Sequence, residues 1–323
     1  MNGSFDSQKC AAAQPAGERF NPHITCAFLY SITRYGYPPA AEGMVRYVNE
    51  MADLGFRSIE LEGIGADHLA RVYADRGAIR AAIEARGLSL PVFCTVLPGL
   101  GSADAAVRRR SLETFEMGCE TAAALGAGAV LDNGPLVPYA FPPDMPIHRH
   151  YSQEVLRNVG LPASLVWGEY WKALAEVLRA ACDIAAGYGL RYYLHPCTGS
   201  LTETTDGFLR LRDAVGRENL RFNFDTANQF FVRENLSLGL LKLGGELDYI
   251  HISDNHGQRV EHLAAGDGAI DWDMFFSALK RIGFSGQLSI DVGGDESGIE
   301  NIDEAYLKTA RWIERKNEEY GIF

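Results

Sequence analysis

The sequence predicts an α/β protein folded as a single (β/α)8 barrel with a long lid-like insertion after the fourth strand. Three observations lead there: short β-type runs alternate with longer helical patterns, one junction phrase recurs between them, and ligand-type side chains end the later runs. The expected strands are 23–28, 58–61, 90–95, 129–132, 192–195, 221–225, 249–253 and 287–291. Helical patterns fill 44–54, 105–125, 169–188 and 272–282. In the last of these Trp272, Phe275, Phe276, Leu279 and Ile282 recur at the spacing of one buried helix face. The recurring phrase is a helix end, a glycine, an apolar residue and a strand, as in Leu54-Gly55-Phe56, Arg86-Gly87-Leu88, Tyr188-Gly189-Leu190 and Ile282-Gly283-Phe284. Repetition of one unit around the chain favours a closed barrel over an open sheet with a separate second domain.

Two stretches depart from this rhythm. Residues 1–21 are polar and rich in Ala, Gly and Pro, without the basic start and apolar centre of a signal peptide, and read as a flexible leader to a barrel spanning 22–323. Residues 133–167 are too long for an ordinary connection and carry prolines, Tyr139, Phe141, His148, His150, Tyr151 and Trp167, which predicts an ordered active-site lid. A connection after the fourth strand lies over the catalytic mouth of a barrel.

A formal net charge of −12 argues against a nucleic-acid surface, because phosphate binding relies on clustered basic residues. The dense basic run Arg108 to Arg110 reads as a solvated helix start. No apolar run approaches the roughly 18 residues a membrane span needs. The six cysteines lack C-x-x-C spacing and read as reduced core thiols, in keeping with a cytoplasmic protein. Apolar helices around a barrel also leave room for a homo-oligomer.

The chemistry concentrates at the ends of the late strands. His195, Asp225 and Asp291 close the fifth, sixth and eighth, and His251 stands on the seventh. Barrel strands deliver such residues to one mouth. Four N/O ligands on four consecutive strands suit one divalent ion, Mn²⁺ first and Zn²⁺, Co²⁺ or Fe²⁺ after it, better than Ca²⁺. Singly, each has a plainer reading: a lone histidine on an apolar strand is usually a hydrogen-bonded core residue, and a lone aspartate at a strand end usually caps the next helix. Together they point to a metal.

The phrases Phe224-Asp225-Thr226-Ala227-Asn228, Tyr249-Ile250-His251-Ile252-Ser253-Asp254-Asn255 and Ala265-Gly266-Asp267-Gly268-Ala269-Ile270-Asp271-Trp272, followed by Ile282-Gly283-Phe284-Ser285-Gly286, resemble the sugar isomerase/epimerase branch of the xylose isomerase-like barrels. That family also includes tagatose 3-epimerase-like, inosose dehydratase and endonuclease IV-like enzymes. The resemblance covers roughly residues 22–318 and is strongest after 185. It implies a metal held by Glu, Asp, His and Glu on strands five to eight. Asp225 and His251 match; His195 and Asp291 stand where the family has glutamates.

In the epimerases those glutamates also exchange protons beside the substrate carbonyl, through a metal-stabilised enediolate. The resemblance therefore implies His195 and Asp291 as the catalytic pair. An imidazole facing a shorter carboxylate is less symmetric than two glutamates, which also opens enolisation followed by loss of a β leaving group. Glu62, Asn228, Asp254, His256 and Arg259, with His148, His150 and Trp167 from the lid, are the expected substrate contacts. Gly266 and Gly268 read as turn formers, since no glycine-rich phosphate loop opens a helix there, and the substrate is expected to be unphosphorylated.

These readings lead to a metal-dependent isomerase or epimerase of a sugar, keto-sugar or cyclitol. The alternatives are a lyase of the inosose dehydratase or 3-keto-glycoside β-eliminating kind, and a non-catalytic sugar-binding or accessory subunit. Endonuclease chemistry fits poorly, because it requires three metals with more ligands than this chain offers.

Overall fold

The computed structural model describes residues 19–141, 147 and 153–323. Its frame is a closed ring of parallel strands: β1 (Ile24–Cys26), β2 (Ser58–Ile59 with Leu61–Ile64), β3 (Val92–Val96), β4 (Ala129–Asn133), β5 (Arg191–His195), β6 (Leu220–Phe222 with Phe224–Asp225), β7 (Tyr249–Ile252) and β8 (Gln287–Ile290). β1 pairs with both β2 and β8, so the sheet has no free edge. The expected (β/α)8 barrel is what the chain builds, with each predicted strand found within a few residues of its place.

The ring is assembled from two five-stranded sheets. One contains β1, β8 and β7 with the first part of β2 and the second part of β6; the other contains β3, β4 and β5 with the remaining parts. The hand-over falls at Glu60 and Asn223, whose backbone N–H groups donate to Cys26 O (2.9 Å) and Leu194 O (3.1 Å).

Helices wrap the outside and bury one face each against the staves. Trp272, Phe275, Phe276 and Leu279 are all buried on the helix Trp272–Ile282, which Asp271 opens by accepting from Met274 N. Phe115 on the helix Ala105–Leu125 meets Tyr192 of β5 at a ring separation of 4.8 Å. Removing such side chains from water contributes about 1.5–3 kcal/mol each. The junction glycines Gly55, Gly87, Gly189 and Gly283 all have positive φ, the conformation that ends a helix and turns the chain into the next strand. Gly286 answers a different need: a Cβ there would stand 2.1 Å from the Asp248 carbonyl oxygen.

Arg108 folds back on Ser102 O and Ala103 O at the start of its helix, and Arg109 and Arg110 are exposed, as the basic run suggested. Cys26, Cys94, Cys119, Cys182 and Cys197 are buried thiols. Among the described residues no helix is long and apolar enough to cross a membrane.

The leader is corrected at its end. Phe20 is buried against Phe56 and its N–H donates to Gly55 O, so packing begins inside the expected 1–21 segment; residues 1–18 lie outside the described ones. The insertion after β4 is anchored beside the fifth strand, where Gly134 N donates to His195 O (2.7 Å) and Leu201 N to Pro135 O (2.7 Å). It carries the helix Gln153–Asn158 and leads into the helix Trp167–Gly187. Residues 142–146 and 148–152, and with them His148, His150 and Tyr151, lie outside the described residues.

At the end of β4, Asp132 Oδ1 accepts from Leu97 N (2.9 Å) and Asn133 N (2.8 Å) and so ties the β3 exit to β4. Burial pushes its carboxyl up to about 8, against the pull of those two backbone bonds. An unfolded aspartate titrates near 3.9, so between about pH 4 and pH 8 the folded chain keeps a proton that the unfolded chain has lost. Stability conferred at this site then falls by about 1.4 kcal/mol per pH unit across that window and levels off above it. Asp132→Asn keeps the accepting oxygen and cannot ionise. Urea denaturation at pH 5 and pH 8 should show the variant gaining on the wild type as pH rises; equal differences at both would refute the assignment.

Candidate metal centre

Strand alternation explains why the expected ligands converge. Asp225 is the register partner of His251, and His251 that of Ser289, so Asp291, two residues past Ser289 and just beyond the end of β8, points the same way, into the ring. His195 ends β5. One donor atom from each of His195, Asp225, His251 and Asp291 lies within 4.8 Å of the other three, and all four residues are buried. The donors include His195 Nε2 and Asp225 Oδ2 at 2.9 Å, with His251 Nδ1 3.7 Å from both Asp225 Oδ2 and Asp291 Oδ2. Ligands about 2.1 Å from a tetrahedral ion stand about 3.4 Å apart, so these spacings suit one cation.

Asp225 satisfies both of its possible readings with different oxygens. Oδ1 accepts from Asn228 N (2.7 Å) and opens the helix Thr226–Phe231, while Oδ2 faces the two imidazoles. Burial alone would raise its carboxyl, but the hydrogen bond with His195 and the nearby His251 imidazole hold it well below the ordinary aspartate value. Burial likewise disfavours a charged His251, and the carboxylates of Glu60 and Asp291 overcome it, raising that imidazole well above its usual value.

Glu60 is the residue the sequence reading missed. It is 1% exposed, accepts from Tyr249 Oη (2.6 Å), and lies 3.0 Å from His251 Nε2. In the neutral imidazole that a metal binds, Nε2–H given to Glu60 leaves the lone pair of His251 on Nδ1, facing Asp225 and Asp291. A carboxylate behind a histidine in this way fixes the tautomer a metal needs. Three carboxylates around two imidazoles in a buried pocket form a donor set that a divalent cation neutralises, and Nδ1 of both His195 and His251 is buried without a hydrogen-bond partner. The residues fit the ion.

The cluster opens into a cavity whose other walls are Tyr37, Glu62, Cys94, Val96, Leu131 and Asn133. Glu62, expected as a substrate contact, lines this cavity. Asn228 is buried, with Oδ1 accepting from Thr198 Oγ1 (3.3 Å), and it is not part of that wall.

Four further expected substrate contacts lie outside that wall. Asp254 is fully buried and its oxygens accept from Asn255 N, Gly266 N, Ile270 N and Trp272 Nε1, which makes it the knot of its own loop. A Cβ on Gly268 would meet Asp254 Oδ1 at 2.2 Å, so the glycine phrase shapes that knot. His256 and Arg259 turn outward, with side chains 56% and 71% exposed beside Glu261. Trp167 is 44% exposed and packs at a tilt against Tyr170 and Trp171, and it does not line the cavity.

An inosose isomerase of Bacillus velezensis is 33% identical over 154 residues, 44% of this chain and 54% of that protein. An inosose dehydratase of Clostridium perfringens is 24% identical over 165 residues, 46% of this chain and 55% of that protein. The chain thus spans about half the length of the curated relatives it matches. The solved structure of an L-ribulose 3-epimerase superposes over 92% of this chain and 95% of its own, with a TM-score of 0.71 at 19% identity, a likeness of fold. Residues 48–316 match the family model described as xylose isomerase-like TIM barrel, and the chain belongs to that family.

Proposed function

We propose that this chain is a metal-dependent isomerase or epimerase of an unphosphorylated sugar, keto-sugar or cyclitol. His195, Asp225, His251 and Asp291 would hold one divalent ion, with Mn²⁺ as the first expectation. The observation that carries the reading is the convergence of these four buried side chains, three of which, His195, His251 and Asp291, line the cavity. When bound, the ion supplies Lewis acidity toward a substrate oxygen on which negative charge develops.

The protein's own groups supply the rest. His195 and Asp291 flank the cavity from β5 and β8, and each is a proton acceptor able to serve one carbon beside a carbonyl. Glu62 and Asn133 in the cavity wall orient hydroxyls, and Val96 and Leu131 restrict water. The inosose isomerase relative supports cyclitols as a substrate class. Buried thiols agree with work in the cytoplasm.

A lyase is the second reading, favoured by the unequal His195 and Asp291 pair and by the inosose dehydratase relative. Incubation of the metal-loaded protein in D₂O with ketohexoses and inososes, followed by NMR, separates them. Deuterium entering beside the carbonyl together with a new isomer is the expected result. Loss of water without an isomer favours the lyase, and no exchange with any of these substrates overturns both.

A further inference from the structure

The loop after β7 returns to the site through His262, which has a φ of +46, one of two non-glycine residues with positive φ among those described. Asparagine or glycine would adopt that backbone at least as readily, so the turn alone does not call for an imidazole. The side chain is fully buried. Its Nδ1 lies 2.9 Å from Glu296 Oε1 and its Nε2 3.7 Å from Asp291 Oδ2. Its carbonyl accepts from Gly293 N (3.0 Å), two residues past Asp291. One residue therefore clasps the exit of β8 by both backbone and side chain. The line Glu296, His262, Asp291 runs from a partly exposed carboxylate to the metal cluster, in an interior where charges are weakly screened.

We propose that His262, held by Glu296, is a positioning residue that fixes the Asp291 carboxylate toward His251 Nδ1 and so sets metal affinity. This rests on Asp291 being a ligand. His262 itself stands behind that carboxylate, outside the cavity wall and the four-residue cluster. Because Asp291 is one methylene shorter than glutamate, its reach depends on such a brace.

The test compares His262→Asn, His262→Gln and Glu296→Gln with the wild type, measuring Mn²⁺ and Zn²⁺ affinity by chelator competition and thermal unfolding of the metal-free proteins. His262→Asn suits the backbone but does not reach Asp291. It should bind metal about 10–100-fold more weakly, the usual cost of losing a partner behind a ligand, with an unfolding temperature close to wild type. His262→Gln, whose amide nitrogen replaces Nε2, should recover part of that loss. Glu296→Gln should weaken binding in the same sense, and its loss should not add to that of His262→Asn in the double variant, since the two act through one carboxylate. Should His262→Asn fail to fold, Glu296→Gln, altered at the partly exposed end, decides alone. Wild-type affinity in the folded variants overturns the proposal and leaves the metal site intact; a wild-type chain that takes up neither metal overturns the site and the proposal together.

Discussion

Asp225→Asn is expected to abolish stoichiometric metal uptake, with affinity for Mn²⁺ or Zn²⁺ reduced by more than about 100-fold, beyond the usual cost of removing a mere supporting group. The amide keeps the shape of the side chain and can still accept from Asn228 N, so the helix Thr226–Phe231 retains its cap. It removes the anion that faces both imidazoles, and its NH₂ group presents a donor where a cation needs an acceptor. Chelator competition and metal analysis of the purified variant provide the measurement, and wild-type occupancy would sink the assignment. The pH dependence follows from the depressed carboxyl. A group lowered by folding stabilises above its unfolded value, near 3.9, and that contribution fades as pH falls through the folded value. The metal-free wild type should therefore exceed the variant in stability at neutral pH, and the gap should close in acid.

The second large effect is expected at Glu60. Glu60→Ala leaves the Tyr249 hydroxyl and His251 Nε2 without their shared acceptor in the core, and breaking a buried charge-assisted pair costs about 3–5 kcal/mol. Glu60→Gln is the finer instrument. Its carbonyl oxygen still accepts from one neighbour, so most of the packing survives, while the negative charge behind His251 disappears. Metal binding should weaken about 10–100-fold with a modest change in urea midpoint. A Glu60→Gln protein that folds and binds metal as the wild type does would show that Glu60 serves Tyr249 alone.

Asp225, His251, His195 and Asp291 were legible because strand ends can be read from apolar runs and a barrel sends every strand end to one mouth. Glu60 carried a usable signal that was passed over. In Ser58-Ile59-Glu60-Leu61-Glu62 the two glutamates are two residues apart and must share a face, so finding Glu62 inward implies Glu60 inward one layer deeper. Asp254 misled because a polar run after a strand looks solvated, and only the closure of the loop onto Gly266 and Trp272 turns its carboxylate inward. The role of His262 depends on a backbone angle and on Glu296, 34 residues away, and neither is written in local pattern.

The two-sheet construction of the ring gives the cluster a mechanical meaning. His195 belongs to the sheet of β3, β4 and β5, whereas Asp225, His251 and Asp291 belong to or follow strands of the other. The seams between the sheets lie at Glu60, which braces His251, and at Asn223, two residues before Asp225. A cation held by all four side chains would act as a rivet through the overlap of two plates. Its binding free energy would then resist their separation, by about 4 kcal/mol at a thousandfold excess over the dissociation constant. The side chains that ready the site for chemistry would thereby also hold the barrel shut.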